Sequence, residues 1–150
     1  MLRKIVSGGQ TGVDRAALDV ALQLGLDRGG WCPKGRRAED GPIDESYPLT
    51  ETTWDGYPQR TRYNVRDSDA TLILTRGIPD KGTALTKQLA EKMHKPVFVV
   101  DLAQDEVTTD EVARWLRTEK IQVLNVAGPR ASSQPGIYDA AKAFLLRLLQ

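Results

Sequence analysis

The chain opens on a strand, a glycine-rich turn and a helix in immediate succession, and few folds accommodate that order. Lys4-Ile5-Val6 is an apolar, β-branched run. It passes into Ser7-Gly8-Gly9-Gln10-Thr11-Gly12. Val13, Ala16, Ala17, Val20, Ala21 and Leu24 then recur at helical spacing. A turn of this kind brings backbone N–H groups and the positive end of a helix dipole to one point, which suits an anion such as a phosphate. Gly8, Gly9 and Gly12 let the backbone approach a ligand closely. Gln10 and Thr11 add side-chain hydrogen-bonding groups, and Arg15 falls in the first helical turn. The turn matches neither G-x-G-x-x-G nor G-x-x-x-x-G-K-[ST], so a plain chain reversal is the competing reading.

The rest of the chain repeats the alternation. Gly25 stops the first helix. Gly29-Gly30-Trp31-Cys32 reads as a short strand, and Asp69 to Thr75 as a buried one. Thr83 to His94 reads as a helix closed by Lys95-Pro96. Val97 to Val100 and Ile121 to Val126 read as strands. Thr108 or Thr109 caps a helix running to about Thr118. Ile137 to Leu149 is a final amphipathic helix. Uninterrupted apolar strands separated by helices of about 10 to 15 residues predict βαβ units. The expected fold is therefore α/β: a Rossmann-like three-layer sandwich with a mostly parallel sheet and helices on both faces, in one domain over 1–150. The segment from about 33 to 64 lacks apolar periodicity but holds Tyr47, Trp54, Tyr57 and Tyr63. It is expected to be an ordered rim or lid.

Composition narrows the function classes. With 21 basic and 20 acidic residues the formal net charge is +1. That balance disfavours nucleic acid as a partner. One cysteine and one histidine make a Cys/His structural zinc site untenable, and no protein-held metal is expected. The lone Cys32 fits a reducing compartment and is expected to be buried; His94 is expected at a helix C-terminus. Neither a signal peptide nor a membrane span is read, so the cytoplasm is the expected location. Leu145, Leu146, Leu148 and Leu149 make the last helix apolar on more than one side, which predicts a homodimer or higher homo-oligomer.

Ligands of an open parallel sheet sit outside the carboxyl ends of the strands. Three loops leave such ends. They are Gly8-Gly9-Gln10-Thr11-Gly12, then Arg76 to Thr83 with Gly82-Thr83, and Gly128-Pro129-Arg130-Ala131-Ser132-Ser133. Converging, they would supply N–H groups, hydroxyls and positive charge to a phosphorylated ligand. Arg15, Lys34, Arg36 and Arg130 are the candidate anion contacts, with Arg60 reaching in from the rim. Asp14 orients Arg15 or a ribose, or serves the helix N-terminus alone. Asp19 reads as a solvated helix residue. Trp31 and Tyr57 are either stacking platforms or packing groups. Arg60, Arg62 and Arg66 beside Tyr63 are balanced by Asp67 and Asp69, which suggests salt links rather than a nucleic-acid patch.

Ser7 to Asp19 resembles the opening signature of the molybdenum (molybdenum cofactor) carrier family, the circularly permuted YpsA-like branch of the SLOG superfamily. Gly30-Trp31-Cys32-Pro33-Lys34-Gly35-Arg36, Ala38-Glu39-Asp40-Gly41, Tyr47-Pro48-Leu49, Arg60-Thr61, Asn64-Val65, Ser68-Asp69, Gly82-Thr83 and Asn125 to Arg130 extend the likeness over nearly the whole chain. The resemblance implies a Rossmann-like fold and a site for a nucleotide or a phosphorylated pterin such as molybdenum cofactor (molybdopterin), whose metal and sulfur chemistry the ligand brings. Molybdoenzymes are its implied recipients. Superfamily enzymes that release a base from a nucleoside monophosphate carry Pro-Gly-Gly-x-Gly-Thr-x-x-Glu. Here Ile78-Pro79-Asp80-Lys81 precedes Gly82-Thr83, and Thr86 stands at the Glu position. A glycosidase needs a carboxylate near the sugar. Asp14, Asp40 and Asp69 are the substitutes on offer. A carrier is thus the leading expectation and a nucleotide-processing hydrolase the alternative.

Overall fold

The computed structural model describes residues 1–104 and 109–150. The opening run forms β1 (Lys4–Val6), and the periodic segment forms α1 (Val13–Leu24). Gly25 ends α1 in the left-handed conformation and returns the chain to β2 (Asp27–Gly29). Two short strands, β3 (Trp31–Cys32) and β4 (Thr50–Glu51), follow, then α2 (Tyr57–Arg66). The second half runs β5 (Ala70–Thr75), α3 (Lys81–Lys92), β6 (Val97–Asp101), α4 (Thr109–Thr118), β7 (Val123–Ala127) and α5 (Ile137–Leu149). The cap expected at Thr108 lies outside the described residues.

The five-stranded sheet has the order β2-β1-β7-β5-β6, and every pairing in it is parallel. All six residues of β5 are buried, as a strand covered on both faces requires. Ile5, Leu72, Leu74, Leu124 and Val126 meet Val13, Ala17, Val20, Ile137, Ala141 and Leu145 in one core. Fully burying a side chain such as Leu72 stabilises the fold by about 1.5–3 kcal/mol. Helix α1 packs on α5 and α5 on α4, while α2 packs on α3. The result is the three-layer α/β arrangement read from the sequence.

Two readings need correction. Gly29 to Cys32 is not one strand: β2 belongs to the main sheet, and β3 pairs with β4 in a separate two-stranded sheet. Gly30 divides them at φ 125°, and a Cβ there would lie 2.4 Å from the Ser7 carbonyl oxygen. The rim is also less irregular than expected, because it ends in helix α2. Only Gln59, Asn64 and Val65 of α2 are buried, so no apolar stripe announces it. Before α2, the rim has its own small core of Cys32, Ala38 and Ile43 under Tyr47 and Leu49. The leucines of α5 are spent inside the chain. Leu145 and Leu148 are buried, and Leu146 and Leu149 pack against the same core.

Candidate functional site

The sheet order reverses direction around β7. The chain leaves β1 toward β2 on one side and β5 toward β6 on the other. A crevice opens at such a switch point, outside the strand ends. Here it is a cleft of about 640 Å³. Gly8, Gln10 and Asp14 line it from the β1 end, Asp80 to Thr83 and Thr86 from α3, and Asn125 to Gly128, Arg130 and Ser132 from β7. Helix α2 closes the remaining side with Tyr57, Arg60, Thr61 and Asn64. The three loops picked out in the sequence do converge.

The first loop is built as a knot rather than an open cradle. The Gly9 amide donates to Ser7 Oγ, the Gln10 amide to Asp14, the Thr11 amide to Gln10 Oε1 and the Val13 amide to the Pro129 carbonyl. Gly12 has φ 80°, and a Cβ on it would lie 2.4 Å from the Pro129 oxygen, so only glycine lets the first and third loops touch. Thr11 Oγ1 accepts from the Ala131 amide and donates to Glu39. Glu39 also accepts from the Ser132 amide and hydroxyl. Burial works against the Glu39 charge, yet the Ser132 and Thr11 donors together hold its carboxyl below the usual range. Gly9, Gly12, Thr11, Pro129 and Ser132 therefore join the loops to each other and to the rim.

The cationic candidates divide. Arg60 enters the cleft from α2 and lies over Gly8. Its Nη1 contacts Asp14 at 2.9 Å, with both side chains largely buried. Burial pushes the Asp14 carboxyl up from the usual range, against the attraction of Arg60. Arg130 reaches the cleft mouth. The other three are not brought there. Arg15 pairs with Asp40 through two hydrogen bonds, at 2.8 and 3.0 Å, and donates to the Gly9 carbonyl. Arg36 donates to the carbonyls of Ile43, Asp44, Tyr47 and Leu49 and so pins the rim to itself. Lys34 borders a separate shallow depression with Glu51, Trp54 and Asp55. Arg15 and Arg36 are thus engaged by protein partners, and none of the three lines the cleft.

Gly82 and Thr83 stand in the first turn of α3, where backbone N–H groups lack intrahelical acceptors. Asp80 caps the turn by accepting from the Thr83 amide. Thr86 lines the cleft, but its hydroxyl proton is donated to the Gly82 carbonyl within the helix. Among the described residues, four buried side-chain atoms lack a hydrogen-bond partner: Gln10 Nε2, Arg60 Nε, Thr75 Oγ1 and Thr83 Oγ1. Gln10, Arg60 and Thr83 all line the cleft, and Thr75 ends the strand that leads into it.

Other residues settle plainly. Trp31 packs edge-on to Tyr63 and donates its indole N–H to Asp67, away from the cleft. Tyr57 is at the cleft wall. Arg66 pairs with Asp67, and Asp69 accepts from the Gln122 and Val123 amides. Cys32 is buried, and burial pushes its thiol up. His94 follows the last turn of α3 at φ 54°. Asp19 is no solvated residue: it accepts from both Tyr47 and Tyr138 hydroxyls. Asn125 joins the cleft lining as well, and a buried amide inside an apolar strand is the sequence signal that singles it out. No group of three or more His, Cys, Asp or Glu side chains among the described residues is placed to hold a metal. No described helix is long and apolar enough to cross a membrane.

The profile of the circularly permutated YpsA SLOG family matches residues 5–149. The crystal structure of the "Putative molybdenum carrier protein" of Syntrophus aciditrophicus SB is similar to this chain at 46% identity and a TM-score of 0.93, covering 99% of this chain and 96% of that one. No curated protein matches.

Proposed function

The chain belongs to the circularly permutated YpsA SLOG family, and from that membership we propose that it is a carrier for a phosphorylated heterocycle, molybdenum cofactor or a nucleotide. The observation that carries this reading is the grouping of Gln10 Nε2, Arg60 Nε and Thr83 Oγ1, buried and unpartnered, around one cleft. An unpaired buried polar group costs about 1–3 kcal/mol, so three at one place point to a ligand that satisfies them. The phosphate sits at the first turn of α3, against the Thr83 hydroxyl and near Lys81, where the helix dipole favours negative charge. The ring lies toward Gln10, Asn125 and Tyr57, which offer amides and a flat face. The similar protein from Syntrophus is named a molybdenum carrier, which favours the cofactor. The donors lining the cleft fit a phosphate and a polar ring edge. If the cofactor binds, its metal and sulfur chemistry would be supplied by the ligand, and recipients would be molybdoenzymes. The cytoplasm is the proposed location and pairing of copies the proposed assembly.

The test is thermal unfolding with a panel of nucleoside monophosphates and a phosphorylated pterin. One of them should raise Tm, and Thr83→Val should weaken that effect. If no compound stabilises the chain at concentrations far above a working dissociation constant, the reading fails.

A hydrolase remains the second reading because Asp14 places a buried carboxyl on the cleft wall, where Thr86 offers none. Release of free base from a nucleoside monophosphate, abolished in Asp14→Asn, would favour it over a carrier.

A further inference from the structure

Three guanidinium groups, those of Arg60 and Arg130 in the cleft lining and that of the exposed Arg37 beside it, surround Tyr57 of the cleft wall. Arg60 lies 5.2 Å from the Tyr57 ring centroid, Arg37 5.5 Å and Arg130 5.6 Å. They come from α2, the rim and the loop after β7, so the gathering is tertiary and not a run of charge in the sequence. Positive charges so collected repel one another, and an arrangement of this kind is stable when something anionic answers it. The protein answers part of it, with Asp14 beside Arg60 and Glu39 near Arg130. Asp14 engages only Nη1 of Arg60, whose Nε is buried without a partner. Arg37 makes one long bond, at 3.4 Å, to the Asp55 carbonyl. Among the described residues neither Arg37 nor Arg130 forms an ion pair. Glu39, near Arg130, attracts it through space but gives its hydrogen bonds to Thr11 and Ser132.

We infer that the ligand carries two phosphoryl groups, and that Arg37, Arg60 and Arg130 around Tyr57 hold the second one. This rests on the reading that a first phosphate is seated at α3. Guanidinium forks match the oxygens of a phosphoryl group, and Arg130, with all of Arg37 but the Nη1 that reaches Asp55, has donors to offer it. The cleft, at about 640 Å³, is within the size range of sites for ligands of nucleotide size. A monophosphate would fill the α3 seat and leave the arginine cluster unanswered. A diphosphate ester would answer both.

The probes are inorganic phosphate and pyrophosphate, which lack a ring and so cannot be rejected for a wrong base. Each is titrated calorimetrically into the full chain at constant ionic strength. Pyrophosphate should bind roughly tenfold or more tightly than phosphate. R37Q and R130Q should each remove most of that preference and leave phosphate binding unchanged. Arg62→Gln, an exposed charge outside the cleft, should leave both affinities as they are. Thr83→Val should weaken both probes. Equal binding of the two probes overturns the two-phosphoryl inference and leaves the α3 seat standing. A preference that survives R37Q and R130Q also overturns it. Failure of both probes to bind overturns the inference and the α3 seat together.

Discussion

At the scale of single residues, the fate of an arginine is decided by its tertiary neighbours. Arg15 and Arg36 lie beside glycine turns and have the local look of anion contacts. Asp40 claims the first, and four rim carbonyls claim the second. Arg60, far along the chain, reaches the cleft because α2 folds over Gly8. The Arg15 and Asp40 pair makes a pH-dependent prediction. The hydrogen bonds from Arg15 hold the Asp40 carboxyl below its usual range. A depressed carboxylate stabilises the fold above its unfolded value, near pH 4, and that contribution is lost as pH falls through the folded one. Asp40 is about half exposed, so the pair is worth about 0.5–1 kcal/mol at most. Arg15→Gln should therefore lower Tm at pH 7, and calorimetry at successively lower pH should find the gap narrowing to what the Arg15 bond to the Gly9 carbonyl contributes. Asp14 works in the opposite sense. Its carboxyl is already pushed up by burial, and removing Arg60 pushes it further. A raised folded value gives stability that disappears as pH rises. Arg60→Gln should cost about 3–5 kcal/mol at neutral pH, where a buried charge is left unpaired, and much less near pH 4. Urea unfolding at the two pH values measures the difference.

At the scale of elements, legibility followed the source of stability. β5 is buried at all six positions because both its faces are covered, and its apolar run from Leu72 to Leu74 declares itself. α1 and α5 declare themselves through apolar periodicity, and Gly25 and Pro96 mark ends that local chemistry enforces. α2 declares nothing of the kind. Its sequence, Tyr57 to Arg66, is held by polar bonds to a distant strand. Asn64 accepts from the Trp31 amide at 2.8 Å and donates to the Trp31 carbonyl at 3.0 Å. Gly56 and Pro58 at its N-terminus were the available helix-start signals, masked by the turn-like composition around them. The same contrast governs the site. Loops rich in glycine showed where a cleft could form, but the spending of their amides on Ser7, Asp14 and Pro129 appears only in three dimensions. Asn64→Leu tests the polar account of α2. It fits the space approximately but leaves both Trp31 backbone groups unpaired, which should cost about 1–3 kcal/mol for each group. A urea midpoint unchanged from that of the parent would mean that packing, not Asn64, docks the helix.

At the scale of the whole molecule, the cleft is where three distant parts of the chain are joined. Gly12 lies against Pro129, Thr11 accepts from Ala131, and Glu39 ties the rim to both loops. Asp14 and Arg60 bring α2 into the same assembly. The open edge of this ring is α3, whose first turn is exposed at Lys81 and Gly82. A ligand that bridges α3 to Arg60 and Gln10 closes the ring, so its binding should be felt by loops it does not touch. Hydrogen exchange with saturating pyrophosphate should then slow together at 8–15, 57–66, 80–86 and 125–132. At about 100 times the dissociation constant the stabilisation is about 2.7 kcal/mol, which for a chain of this size raises Tm by roughly 5 to 10 °C. Protection confined to 80–86 would mean that the anion rests on the helix end alone and that the ring of loops stays open.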